Sequence, residues 1–306
     1  MKILSLLFFN FLIFISCGKH KKIDPNTEFR INSTLKIGNL ERTYTVVLPS
    51  NYYSSTKSFP VLIAMHGGGG SAKQMEDSYG LKEKAEEEKY IIVYPDGVQS
   101  DGILKVRTWN AGLCCEYAME KDIDDVGFLS QMIDEIHKNY KSNPKRVYAT
   151  GMSNGGMMAY RLACEISNKI AAIAPVACTM VTISECKPKF SMPVIQFHSI
   201  LDKNVPYNGG IGIRGINYPA VEKGLATWGT LNNCKNIGKV LKDDQNFKLT
   251  EWTSCNSQTE IQYYLTKDGG HSWPGAPIVR AGADEPSEVL NANQLIFDFF
   301  RKYERQ

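Results

Sequence analysis

The sequence predicts an α/β fold: a mostly parallel central sheet with helices on both faces, an N-terminal antiparallel hairpin and no large cap domain. Three observations predict it. Short Val- and Ile-rich runs recur without alternation, the pattern of strands covered on both faces. Helix-length segments lie between them, as crossover connections require. The stretch Phe29 to Leu48 largely alternates apolar and polar residues around Gly38-Asn39, which reads as a hairpin.

In chain order the apolar runs are Pro60–Met65, Tyr90–Tyr94, Arg146–Thr150, Ile170–Ala174, Pro193–Phe197 and Glu260–Leu265. Asp124 to Tyr140 places Val126, Leu129, Ile133 and Ile136 three and four apart with acidic residues in front, which predicts an amphipathic helix. Gly156 to Ala163 predicts another, and Asn291 to Tyr303 closes the chain with Leu295, Ile296, Phe299 and Phe300 on one face. Cys178 to Met192 is too short to build a large helical cap. Asn204 to Asn233 is the longer insertion after a strand end, where loops commonly line a substrate, so an open site is expected. No repeat or interdomain linker is visible, and residues 29–306 read as a single catalytic domain.

The chain has 306 residues, 43% hydrophobic and 22% charged, with a formal net charge of +3, enough to bury a full core. The near-neutral balance argues against a nucleic-acid binder, and no 18-residue apolar run suggests a polytopic membrane protein. Lys2 followed by the apolar Ile3–Ile15 has the layout of a secretory signal; its thirteen residues would reach roughly 20 Å as a helix, short of a bilayer core. Ser16-Cys17 resembles a bacterial lipobox, although Phe14 stands where Leu is usual. Residues 1–16 are thus expected to be a signal peptide. Residues 17–28 are expected to be a lipidated Cys17 with a solvated tether, on the periplasmic or cell-surface side of a membrane; an ordinary cleaved signal and secretion is the alternative. Export permits disulfides. Setting Cys17 aside leaves seven cysteines, so at least one stays unpaired within the chain. Cys234–Cys255 is the preferred pair, flanking a polar Lys- and Asp-rich excursion. Adjacent Cys114 and Cys115 are expected to find distant partners rather than each other.

Gly151-Met152-Ser153-Asn154-Gly155 matches GxSxG between a strand and a helix, the setting of an exposed nucleophilic serine on a tight turn. Serine needs a base, and the base needs an orienting acid. His20 lies in the tether, His137 reads as a surface residue of a helix, and His66 precedes a glycine run. Where a serine sits on such an elbow the chain order is Ser, acid, His. His198 and His271 follow Ser153, and His271 occupies the loop after the last strand, so it is the expected base. Asp202 is the acid placed just past a strand end, whereas Asp268 is too close to His271 in sequence. It would hold the imidazole tautomer and stabilise the imidazolium. His66-Gly67-Gly68-Gly69-Gly70 matches an HGGG-type loop, so backbone donors for an oxyanion are expected at Gly68 and at Asn154.

Taken in series, HGGGG at 66–70, YPDG at 94–97, WNAGLCC at 109–115, DIDDVGF at 122–128, GMSNGGMM at 151–158, LDKNVPY at 201–207 and GGHSWPG at 269–275 resemble the polyhydroxybutyrate depolymerase and feruloyl esterase group, related to carbohydrate esterase family 1. The resemblance covers roughly residues 40–303. It implies an α/β-hydrolase fold, maps a triad onto Ser153, Asp202 and His271, makes Asp125 a structural helix cap, and places Trp109 and Trp273 beside the acyl pocket. His198-Ser199-Ile200 departs from the family's His-Gly-Thr pattern before the acid.

The expected function is serine esterase without metal or organic cofactor, acting as a monomer that meets the membrane only through its lipid anchor. Feruloyl or acetyl esters on plant polysaccharide are the first expected substrates and polyhydroxybutyrate the alternative, the ester being polymeric or oligomeric. A serine peptidase is disfavoured without an appended propeller or large cap, and a non-catalytic surface module is disfavoured by the intact Ser/Asp/His set.

Overall fold

The computed structural model describes residues 28–182, 186–279 and 282–305, so the expected signal segment and Cys17 lie outside the described residues. Strands β1 (Arg30–Ile37), β2 (Leu40–Val47) and β3 (Phe59–Met65) precede helices α1 (Ala72–Ser78) and α2 (Leu81–Glu87). Then come β4 (Ile91–Pro95), the short β5 (Val98–Gln99) and β6 (Arg107–Thr108), α3 (Glu116–Glu120) and α4 (Asp125–Asn139). Strand β7 (Ser142–Met152) leads into α5 (Asn154–Glu165), followed by β8 (Ala172–Val176) and β9 (Val194–Ser199). An insertion with β10 (Gly210–Ile211), β11 (Asn217–Tyr218) and α6 (Val221–Leu231) follows. The chain then runs through β12 (Asn236–Asp243), β13 (Phe247–Thr253), β14 (Ile261–Thr266) and α7 (Ala292–Phe300).

Ten strands form one sheet in the order β1-β2-β4-β3-β7-β8-β9-β14-β13-β12. From β4 to β14 neighbouring strands are parallel, and antiparallel hairpins extend both edges. Strands β3, β4, β8 and β9 and the C-terminal half of β7 are buried because successive side chains enter two different cores. Val61, Ile63, Val147 and Val194 pack with α4, α5 and α6, whereas Leu62, Ala64, Tyr148 and Phe197 pack with α1, α2 and α7. This two-sided burial explains why their sequences do not alternate. The crossovers bring the C-terminal ends of β3, β7, β9 and β14 to one edge of the sheet, where ligands of open α/β sheets bind.

Three local expectations change. The polar excursion flanked by Cys234 and Cys255 is the β12–β13 hairpin; β12 is an edge strand whose side chains, Ile237, Val240 and Leu241 among them, are mostly exposed, so its sequence has no continuous apolar run. Asp124, not Asp125, caps α4 by accepting from Gly127 N at 2.7 Å. Asp125 is instead fully buried, paired with Arg42 at 2.7 Å and accepting from Asn110 N at 2.7 Å. Burial pushes its carboxyl up even beside Arg42. His137 is half-buried against Ser142 Oγ at 2.7 Å rather than lying free on the surface.

Among the described residues the disulfides are Cys164–Cys186, Cys234–Cys255 and Cys114–Cys115, with Cys178 free and buried. The preferred Cys234–Cys255 pair forms. The adjacent cysteines join each other, contrary to expectation. Their loop folds back through Cys115 N to Trp109 O and Ala111 N to Cys114 O, and the other bridged cysteines pair among themselves.

Candidate active site

The elbow is built by glycines. A Cβ on Gly151 would lie 2.4 Å from the Gly155 carbonyl carbon, one on Gly155 2.3 Å from Met65 O, and one on Gly156 2.6 Å from Cys178 Sγ. Side chains at these positions would push β7, β3 and α5 apart. Between them Ser153 adopts φ 54° and ψ −121°, a conformation an L-residue rarely holds, and its N–H donates to Val176 O at 2.8 Å. The turn lifts the side chain off the sheet to the wall of a cavity of about 270 Å³.

His271 reaches that cavity from the loop after β14, and Asp202, buried behind it, comes from the turn after neighbouring β9. Ser199 Oγ and Thr266 Oγ1 both donate to Asp268 O, and Ile200 N donates to Thr266 O, which fastens the ends of β9 and β14 together. His271 Nδ1 then lies 2.8 Å from Asp202 Oδ2. Asp202 Oδ1 accepts from Val205 N at 2.8 Å, and His198 Nε2 lies 3.2 Å from Oδ2. Burial alone would raise the Asp202 carboxyl, but hydrogen bonds from His198 and His271 outweigh it and hold the group well below the usual carboxylate range. The backbone of His271 is pinned by its N–H to Asp284 Oδ2 at 2.6 Å. That approach is open because a Cβ on Gly270 would occupy the same space, 2.3 Å from Asp284 Oδ2. Asp268 accepts from Ser287 Oγ and Glu288 N, so it shapes the loop rather than serving the imidazole.

The glycine run lies against the elbow, where a Cβ on Gly67 would be 3.4 Å from Ser153 Cβ. Gly69 N and Gly70 N are used on Arg107 O and Gly67 O, while Gly67 and Gly68 border the cavity. Asn154 also lines it as the first residue of α5, where a backbone N–H has no acceptor within the helix. His66 is fully buried: its Nε2 accepts from Gly97 N at 2.9 Å and its Nδ1 lies 2.7 Å from Gly67 O, so it braces the run.

The family described as "Putative esterase" matches residues 36–273. The chain belongs to this esterase family. Feruloyl esterase B of Piromyces equi is 30% identical over 76% of the chain, which spans 42% of that protein. The bifunctional acetylxylan esterase/xylanase XynS20E of Neocallimastix patriciarum is 26% identical over 78% of the chain, which spans 32% of it. The chain thus spans less than half the length of either relative. Among solved structures, an acetyl xylan esterase from Aspergillus awamori superposes with a TM-score of 0.61 at 12% identity, over 89% of this chain and 99% of that one. The fold is that of the α/β-hydrolases.

The walls of the cavity differ from the sequence expectation. Trp109 and Trp273 do not reach it. Trp109 is fully buried behind the loop, its indole N–H on His66 O at 2.9 Å, and its backbone exchanges two hydrogen bonds with the Asn154 side chain. Trp273 donates to Asn293 Oδ1 at 2.9 Å, stacks on Tyr79 and lines a smaller adjoining space. The apolar walls come instead from Tyr79, Met152, Met157, Ile213, Ile216 and Tyr218. Three of these belong to the Asn204–Asn233 insertion, whose length was their only sequence signal. Arg214 of that insertion pairs with Glu116 of α3, tying the two loops together at the cavity.

Proposed function

We propose that the protein hydrolyses carboxylic esters through an acyl-enzyme on Ser153, with His271 as base and Asp202 as its orienting acid. The observation that carries this reading is that His271, which lines the same cavity as Ser153, holds its Nδ1 2.8 Å from the buried Asp202 carboxylate. With Nδ1–H directed at the carboxylate, Nε2 is left free to take a proton. His271 removes the Ser153 proton as Oγ attacks the ester carbonyl, and the oxyanion meets the backbone N–H groups of Gly68 and Asn154. His271 then protonates the departing alcohol, and water activated by the same imidazole releases the acid.

The substrates are feruloyl or acetyl esters on plant polysaccharide. The names of the two curated relatives support this, and Tyr79, Met152 and Tyr218 supply apolar and aromatic surface for an acyl group. The two ordinary disulfides favour an exported protein, held to the membrane through lipidated Cys17. Hydrolysis of methyl ferulate, acetylated xylan and a 3-hydroxybutyrate oligomer by the enzyme and by its Ser153→Ala variant tests the reading. Turnover of the first two, lost in the variant, is expected. Turnover of the oligomer alone makes the enzyme a polyester hydrolase, and unchanged activity in the variant removes the serine mechanism. Palmitate labelling of wild type and Cys17→Ala tests the anchor, and label persisting in the variant rejects it.

A further inference from the structure

His198, at the end of β9, is only 2% exposed, and the steps above give it no part. Its Nε2 lies 2.8 Å from Val205 O and 3.2 Å from Asp202 Oδ2, the oxygen that also meets His271. Its Nδ1 is buried with no hydrogen-bond partner among the described residues. Both atoms facing Nε2 are acceptors, so the network assigns the ring proton to Nε2 and leaves Nδ1 bare. Val205 in turn donates its N–H to Asp202 Oδ1. The imidazole thus holds Val205, which holds one carboxylate oxygen, while its own N–H dipole faces the other.

Resting on the roles proposed above for Ser153, Asp202 and His271, we infer that His198 is a positioning residue. It fixes the Asp202–Val205 turn and directs the positive end of its Nε2–H at the carboxylate oxygen that His271 uses. Among the described residues, the remaining ionisable groups around Asp202 are Tyr218 of β11, Tyr263 of β14 and Cys178 after β8, with Arg214 acting on Tyr218. Burial pushes the two tyrosines and the thiol up, so they stay uncharged, and the two imidazoles are the groups that modulate the carboxylate. Part of the Asp202 charge is taken up by His198. Without it, the full charge acts on His271, its imidazolium is better stabilised, and the base is freed only at higher pH.

The pH dependence of kcat/KM for 4-nitrophenyl acetate tests this in wild type, His198→Leu and His198→Gln, with Ser153→Ala run alongside. The acid limb of the Leu variant is expected to move up by about half a unit to one unit. The Gln variant keeps an N–H donor and is expected to restore much of the wild-type position. A Leu variant with an unmoved limb, or Gln and Leu limbs displaced equally, overturns the inference. Should the Leu variant fail to fold, imidazole ¹⁵N shifts of the intact wild-type enzyme decide: a His198 Nε2–H tautomer supports the role and an Nδ1–H tautomer ends it. Full turnover by Ser153→Ala would defeat the underlying serine reading separately, whatever the His198 variants show.

Discussion

Two imidazoles and one backbone amide converge on Asp202, and its ionised form is what they stabilise. Because its folded pKa is depressed, the stabilisation is complete above the unfolded carboxylate value near ~4 and is lost as pH falls toward the folded value. Asp202→Asn removes that dependence. The stability gap between wild type and the Asn variant in urea titrations is therefore expected to narrow from about pH 5 down to about pH 2. A gap independent of pH would show that the carboxylate is not held in this way. At this scale Ser153, Asp202 and His271 were legible because chain order and strand ends constrain them. His198 could not be assigned a role from sequence, since its contact with Asp202 depends on how the turn after β9 closes. Trp109 and Trp273 were misplaced because an aromatic beside a motif gives no sign of which way its ring points, and here both indoles are held inward by hydrogen bonds.

At the scale of elements, the glycines govern how closely β3, β7 and α5 approach. Gly155→Ala forces a methyl against Met65 O and His66 O, and is expected to lower stability by about 1–3 kcal/mol. It should also lower kcat, because the same displacement moves the glycine run away from Ser153. Thermal unfolding together with steady-state kinetics checks both, and an unperturbed kcat would detach the run from the reaction. The Cys234–Cys255 bridge belongs to the opposite regime. It spans 21 residues and closes the edge hairpin, whose strands do not line the cavity. Replacing both cysteines with serine is expected to cost about 3 kcal/mol in denaturant unfolding while kcat/KM stays unchanged. A parallel loss of activity would connect that hairpin to the site. The buried strands were legible as continuous apolar runs, whereas β12 was not, since Gly238, Lys239 and Lys242 interrupt the apolar residues of a solvated edge strand.

Across the whole molecule, parallel crossovers collect four strand ends and turn scattered motifs into one site. That much follows from the order of strands, helices and motifs along the chain. The cavity's shape does not, because its walls come from an insertion tied to α3 by the Arg214–Glu116 pair and from a loop closed by adjacent cysteines. Loop contacts of this kind have no period to reveal them. The central claim is that Ser153 is acylated during turnover. It is tested most directly by acid-quenching the enzyme during 4-nitrophenyl acetate hydrolysis and mapping the acetyl group by peptide mass spectrometry. The account predicts one acetyl group on Ser153 in wild type and none in Ser153→Ala. Acetylation of a different residue in productive turnover, or burst kinetics that persist in Ser153→Ala, would contradict it.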